Sequence, residues 1–297
     1  MTRLPSVGDV GHAFEFPIEL GKVREFARAT KAGHPSYVCL NGGPLVIPPT
    51  FLTSAAWWIP ADGGVLNVLA DDWSRLLHGG QRYVFHGSPP SSGDRLVATQ
   101  RIRDVTERTG RRAGRMTFID WSTDFVDGEG VLRAEELHLT ILTERPPGGS
   151  ATAGDLRARP DLGSSGHGPT LEELVDNRVS MTDIVRYQGA SGDLNPIHHD
   201  HELAKAAGHR SAFSVGMLHA GILGSHVGTV FGPENVREFG VRFKEQVWPG
   251  DQLAYGGRVV DRQEVAGERL LTLDLEVRRS DGRVPLTGQA RVVDAGS

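Results

Sequence analysis

A chain of 297 residues is longer than one small domain needs, and at roughly 150 residues per domain it has room for two units with buried cores. Its 38% hydrophobic and 23% charged residues exclude the disordered and fibrous classes. A formal charge of -5 provides no basic face to neutralise phosphates, so nucleic acid is not an expected partner.

The single cysteine, Cys39, cannot form an intramolecular disulfide, and the start Met1 to Gly8 lacks the apolar core of a signal peptide. A reducing, cytoplasmic setting is the expectation.

In chain order, the first landmark is Phe26 to Pro35 (FARATKAGHP), an aromatic followed by small residues, Thr30 and a proline. The following stretch, Leu45 to Leu77, is apolar but interrupted by Pro48, Pro49 and Pro60 and preceded by Pro44. Proline inside a helix costs about 3 kcal/mol or more, so any helix here should be lost or shortened. Gly93-Asp94 then precedes strand-like sequence, and Arg115–Val126 and Val131–Leu142 flank Asp127-Gly128-Glu129-Gly130 as a β-hairpin. Arg145 to Pro169 is rich in Pro, Gly and Ser with almost no bulky apolar side chain, and reads as a linker between residues 1–144 and 170–297.

The second half repeats the plan. Tyr187 to Pro196 (YQGASGDLNP) aligns without gaps on Phe26 to Pro35, with Ser191 at the place of Thr30. Asp183 to Gln188 reads as a short helix that Gly189 and Gly192 break into a loop. Phe213 to Gly232 carries no Asp, Glu, Lys or Arg and is about as long as a membrane span, which takes ~20 residues. Its five glycines and two histidines, and the lack of aromatic anchors at both ends, favour a buried helix over Met217 to Phe231, entered through Gly216. Gly250-Asp251 and a second hairpin, Arg269–Arg278 and Val284–Val293, complete the copy.

Chemistry concentrates in YQGASGDLNPIH, residues 187–198, where Asp193, Asn195 and His198 share one loop. A carboxylate and an imidazole facing one water form an acid/base pair at neutral pH. On spacing alone the commoner outcome is that Asp193 and Asn195 cap a turn and His198 is solvated.

This segment resembles the signature of the MaoC-like (R)-specific enoyl thioester hydratases, or hydratase 2. Tyr187, Ser191, Gly192, Asp193, Asn195, Pro196, Ile197, His198 and Ala204 match it, and Ala190 departs mildly. Phe213 to Leu218 is similar to the family's turn into its central helix, although Val215 stands where a histidine is common. Arg242-Phe243 to Asp251 is similar to the strand that follows. Pro48 to Phe51 and Leu77 to Gln81 are similar to the degenerate dehydratase module of double hot-dog members.

The resemblance implies an α+β double hot-dog fold, two antiparallel sheets each wrapped on a helix, the first with its central helix lost or shortened. It implies reversible hydration of trans-2-enoyl thioesters to (R)-3-hydroxyacyl thioesters, a hydro-lyase reaction without cofactor or metal, on coenzyme A or acyl carrier protein thioesters. Asp193 and His198 would act on one water, Asn195 would fix the loop or help position the pair, and the Gly216 N–H would receive charge on the thioester oxygen. Ala32 and His34 replace Asp193 and Asn195 in the first copy, so one site per chain is expected. A non-catalytic acyl-binding subunit and a hot-dog thioesterase stay open as alternatives, as does a homodimer of paired modules.

Other features carry less. His198-His199-Asp200-His201 lacks a zinc-type spacing such as HExxH, and His209, His219 and His226 read as core or surface residues. Arg108, Arg111, Arg112 and Arg115 could reach a coenzyme A phosphate but sit where a solvated turn is expected. Trp57, Trp58 and Trp73 fit either an acyl pocket or a core.

Overall fold

In the computed structural model, residues 4–38, 43–69, 75–110, 114–144, 170–176, 178–265 and 267–295 are described. The expected linker, together with Cys39, Trp73, Arg111 and Arg112, lies outside them. No helix among the described residues is long and apolar enough to cross a membrane.

The first half runs β1 (Phe14–Pro17), α1 (Leu20–Ala29), α2 (Pro35–Val38), a 3-10 helix (Phe51–Trp58), β2 (Leu76–Phe85), β3 (Arg95–Gly110), β4 (Gly114–Val126) and β5 (Leu132–Thr143). The second runs β6 (Thr170–Asp176), α3 (Met181–Ser191), a 3-10 turn (Pro196–His198), α4 (His201–Ala206), α5 (Gly216–Phe231), a further 3-10 turn (Pro233–Asn235), β7 (Val236–Phe243), β8 (Leu253–Val265), β9 (Glu268–Arg279) and β10 (Leu286–Val293). Both expected hairpins form, as β4–β5 and β9–β10.

All strands join one antiparallel sheet in the order β1-β3-β4-β5-β2-β7-β10-β9-β8-β6. The second five strands mirror the first five across the β2–β7 seam, where Gly80 to Val84 pair with Arg242 to Glu238. Backbone hydrogen bonding thus continues from one copy into the other, and the seam leaves neither sheet with an open edge there.

α5 is the long buried helix read from the sequence. It carries no charge because nearly every residue faces protein, and its glycines allow close approach. A Cβ on Gly221 would meet Thr30 Cγ2 at 2.5 Å, and one on Gly228 would run into the Tyr37 hydroxyl. Those neighbours are the C-cap residue of α1 and a residue of α2, so the first half seats directly on the helix of the second. Its own counterpart is the 3-10 helix Phe51–Trp58, bounded by Pro48-Pro49 and Pro60, which supply no backbone N–H to extend it. This is the shortened helix expected.

The copies also match in backbone detail. α1 and α3 pack on each other, with the rings of Phe26 and Tyr187 5.8 Å apart. After each helix one residue takes the left-handed conformation, Lys31 (φ 54) in the first and Gly192 (φ 85) in the second. Then Ser36 N donates to His34 Nδ1 at 3.2 Å, as Ile197 N donates to Asn195 Oδ1 at 3.2 Å.

Candidate active site

The site is prepared by α3. Ser180 and Asp183 close a capping box at its start, and Gly192 ends it in the left-handed conformation, its N–H donating to Gln188 O. The helix therefore runs three residues beyond the expected end at Gln188. Gly189 costs a helix roughly 1 kcal/mol, but the buried Tyr187, Ala190 and Ser191 beside it hold the turn. A Cβ on Gly192 would stand 3.1 Å from the Trp57 ring, so the last residue of that turn but one in the first half's 3-10 helix presses on the loop.

Beyond Gly192 the loop is organised by its own polar groups. Asn195 N donates to Asp193 Oδ1 at 3.2 Å, and Asn195 Oδ1 accepts from Ile197 N, capping the 3-10 turn that carries His198. Gln188, buried on α3, donates to Asp193 O at 2.9 Å and Asn195 O at 3.0 Å, tying the loop to the helix. The sequence reading missed Gln188; its signal is an amide in a register otherwise filled by Ile184, Tyr187 and Ser191.

His198 is fixed by its other ring nitrogen. Nδ1 donates to Phe213 O at 2.9 Å, leaving Nε2 without a proton in the neutral ring. Nε2 stands 3.9 Å from Asp193 Oδ2, too far for a direct hydrogen bond. Two acceptors at that separation can each reach one water at about 2.8 Å. The imidazole side chain is 10% exposed and the carboxylate 41%, so the pair faces outward from the Asp193 side. Burial pulls the His198 imidazole below its ordinary range, and Asp193 only partly opposes this, which keeps Nε2 unprotonated at neutral pH.

Phe213 leads into α5, so the carbonyl that orients His198 lies three residues before Gly216. Gly216 is the first residue of that helix, where an N–H has no intrahelical partner and the dipole is positive. A Cβ there would meet the Phe243 ring at 2.9 Å. His219, one turn on, holds the entry to α5: Nε2 pairs with Ser214 Oγ at 2.8 Å and Nδ1 with Tyr255 OH at 2.9 Å. His219 is thus a core residue, and burial drives its pKa to about 3.

The other histidines diverge. His199 turns to Gln188 Oε1 and His201 to Ser211 Oγ, while His198 turns to Phe213 O, so adjacency in sequence does not gather them. Among the described residues no three His, Cys, Asp or Glu side chains are placed to hold a metal. Of the arginines, Arg108 lies over the Phe118 ring on the β3–β4 hairpin, and Arg115 is on the opposite strand. Trp58 packs edge-on to Phe16 in the core.

In the first copy, the position of His198 is taken by Tyr37, fully buried against α5, and Ala32 replaces Asp193. That loop is packing, with no acid/base pair.

A helix held by a curved antiparallel sheet, with a second such unit of shortened helix continuing it across a shared seam, is a double hot dog. The chain belongs to the MaoC-like dehydratases: residues 164–279 match the MaoC-like domain, and residues 6–135 match the FAS1-like dehydratase domain region. A UPF0336 protein of Parafrankia is 32% identical over 139 residues, which cover 42% of this chain and 86% of the relative. Mouse peroxisomal multifunctional enzyme type 2 is 25% identical over 210 residues, 69% of this chain but 27% of that enzyme. A solved MaoC-like dehydratase superposes with a TM-score of 0.77 at 21% identity, covering 96% of this chain and 98% of its own. A Mycobacterium tuberculosis protein described as a double hot dog superposes at 0.63 with 15% identity, covering 97% and 96%.

Proposed function

We propose that the protein hydrates trans-2-enoyl thioesters to (R)-3-hydroxyacyl thioesters, and dehydrates them in reverse, at one site in residues 170–297. The observation that carries this is the 3.9 Å gap between Asp193 Oδ2 and His198 Nε2, with Nδ1 committed to Phe213 O.

A water bound in that gap donates one proton toward each acceptor. As its oxygen attacks C3 of the enoyl group, His198 Nε2 takes one proton, and Asp193 keeps the oxygen aimed. The electron pair of the C2–C3 double bond moves to give an enolate whose charge sits on the thioester oxygen. The Gly216 N–H receives that charge, and an oxyanion donor of this kind is worth about 2.7 to 4 kcal/mol of barrier. The imidazolium then returns the proton to C2, which closes the cycle with no residue altered. Asn195 and Gln188 serve by holding Asp193 and the loop, not by touching substrate.

The thioester carrier is coenzyme A or acyl carrier protein, whose shared pantetheine arm presents the same reacting atoms. Incubation with crotonyl-CoA and with longer enoyl-CoA thioesters tests the reading. Loss of enone absorbance without free thiol supports it. Thiol release would instead identify a thioesterase, and binding without either change would leave an acyl-binding subunit.

A further inference from the structure

Gln188 touches both ends of the loop that carries Asp193 and His198. It stands on α3, is 3% exposed, and takes part in three hydrogen bonds. Its Nε2 donates to Asp193 O at 2.9 Å and to Asn195 O at 3.0 Å, and its Oε1 accepts from His199 Nδ1 at 2.8 Å. Backbone carbonyls only accept, so the amide nitrogen must face them and the amide oxygen must face His199. The His199 Nδ1 therefore carries a proton, in the neutral ring and in the imidazolium alike.

His199 is exposed, yet its ring turns to this buried amide while that of His198 turns to Phe213 O. Anchors on consecutive residues fix the backbone between them, so His198 cannot slide along the loop without breaking one of the two. At the other end Asp193 is held through its own carbonyl. One planar amide thus joins the residue that bears the carboxylate to the neighbour of the one that bears the imidazole. The 3.9 Å between Asp193 Oδ2 and His198 Nε2 is the separation it holds.

The first copy has the same loop without this bridge. Carried three residues further, the gap-free alignment sets Ala27 against Gln188, Ala32 against Asp193, Tyr37 against His198 and Val38 against His199. Those four positions lie together there too: Ala27, Ala32 and Tyr37 form a small apolar cluster, with Val38 packed against it. The backbone nevertheless follows the same course. Tyr37 N donates to His34 O at 2.9 Å as His198 N donates to Asn195 O at 3.2 Å, and Lys31 takes the left-handed conformation that Gly192 takes. The turn itself therefore requires neither Gln188 nor His199. Where the acid and the imidazole are absent, the amide and the second imidazole are absent with them, and the four positions change from apolar to hydrogen-bonded as a set.

We propose that His199 is a positioning residue for the reaction: acting through Gln188, it holds Asp193 and His198 at the separation that fits one water. The inference rests on the hydration reading for the reaction but not for the tether. Without the His199 ring, solvent water satisfies Gln188 Oε1 at this exposed edge, so the fold loses little. A water is not bonded to the chain, however, and the end of the loop is released. The cost then falls on the alignment of the reacting groups and not on binding of the substrate.

Steady-state kinetics and imidazole NMR on the full chain test it, with His199→Ala and His199→Asn. Both variants remove the ring and its charge, but asparagine places an N–H donor where Nδ1 stood. With enoyl-CoA, His199→Ala should lower kcat about tenfold at unchanged KM, the weight of one net hydrogen bond lost from the transition state. His199→Asn should recover most of that loss, and both variants should melt near the wild-type temperature. Added to Gln188→Leu, His199→Ala should cost nothing further, because it acts through that amide. Wild-type kcat in His199→Ala, no recovery in His199→Asn, a loss that appears in KM, or additive losses in the double variant would overturn the proposal.

The His198 ring gives a second readout that does not depend on turnover. Burial holds its titration below 6.5. A ring released from the tether gains solvent, so it should titrate closer to 6.5 in His199→Ala than in His199→Asn. Equal midpoints in the two variants would sink the tether. Should the midpoints separate while the wild type hydrates no enoyl thioester, the hydration reading fails and the held pair stands.

Discussion

Asp193 Oδ2 and His198 Nε2 face each other across 3.9 Å, and the second nitrogen of His198 is bound to Phe213 O at 2.9 Å. This sets the tautomer: the nitrogen that looks toward Asp193 is the basic one. The pair is held by different elements, the carboxylate by the C-terminal cap of α3 and the imidazole by the approach to α5.

Asp193→Asn and His198→Ala should each lower turnover by about 10²- to 10⁴-fold, the usual contribution of a positioned acid or base. Asp193→Asn should leave the thermal midpoint nearly unchanged, because the carboxylate is substantially exposed. Initial rates with enoyl-CoA and a melting curve on each variant check this; near-normal hydration in both would remove the pair from the mechanism.

The acid limb of kcat/KM should fall below pH 6.5. His198 is needed neutral, and burial lowers its pKa from the ordinary value, so activity persists to lower pH than a solvated imidazole would permit and is lost as Nε2 gains its proton. A midpoint above 6.5 in the pH profile would contradict the assignment.

Stability should respond to the same acid range through His219. Its folded pKa is about 3 against an unfolded value of 6.5. Above 6.5 neither state binds the proton and the burial is harmless. Between 6.5 and 3 only the unfolded chain binds it, which removes about 1.4 kcal/mol per pH unit. Urea unfolding of His219→Gln at pH 7.5 and 4.5 should show a shallower loss than the wild type.

Gly192→Ala should cost about 1 to 2 kcal/mol, since φ is +85° and the new Cβ would crowd the Trp57 ring at 3.1 Å. Because Asp193 follows directly, turnover should fall by more than KM rises. Thermal unfolding and steady-state kinetics on Gly192→Ala and on Gly192→Ala/Trp57→Ala separate backbone strain from the ring contact.

Ala32→Asp should create no second site. The position is buried, and Tyr37 stands where the imidazole would have to be. In an Asp193→Asn background the added carboxylate should restore no activity, and it should destabilise the fold by several kcal/mol as an unpaired buried acid. Recovery of hydration would show that the first loop is not merely packing.

Much of this was readable in the chain because it depends on local chemistry. Proline placement determined that the first helix would shorten, glycine and the absence of charge marked α5 as buried, and the aligned segments Phe26 to Pro35 and Tyr187 to Pro196 marked a duplication. The end of α3 was misread at Gly189, since propensity is a weak preference and the burial of Tyr187, Ala190 and Ser191 overrides it. The role of Gln188 was not legible, because an amide's partners depend on where a loop folds back.

What the sequence by itself determined is therefore the repeat, the type of element at most positions, and which residues in one loop could do acid/base chemistry. Only the tertiary structure decided which nitrogen of His198 faces Asp193 and that the approach to α5 supplies the carbonyl that orients it. The reason is physical: propensity and turn chemistry act over a few residues, whereas tautomer, desolvation and unpaired buried atoms are set by neighbours that the sheet brings together from distant parts of the chain.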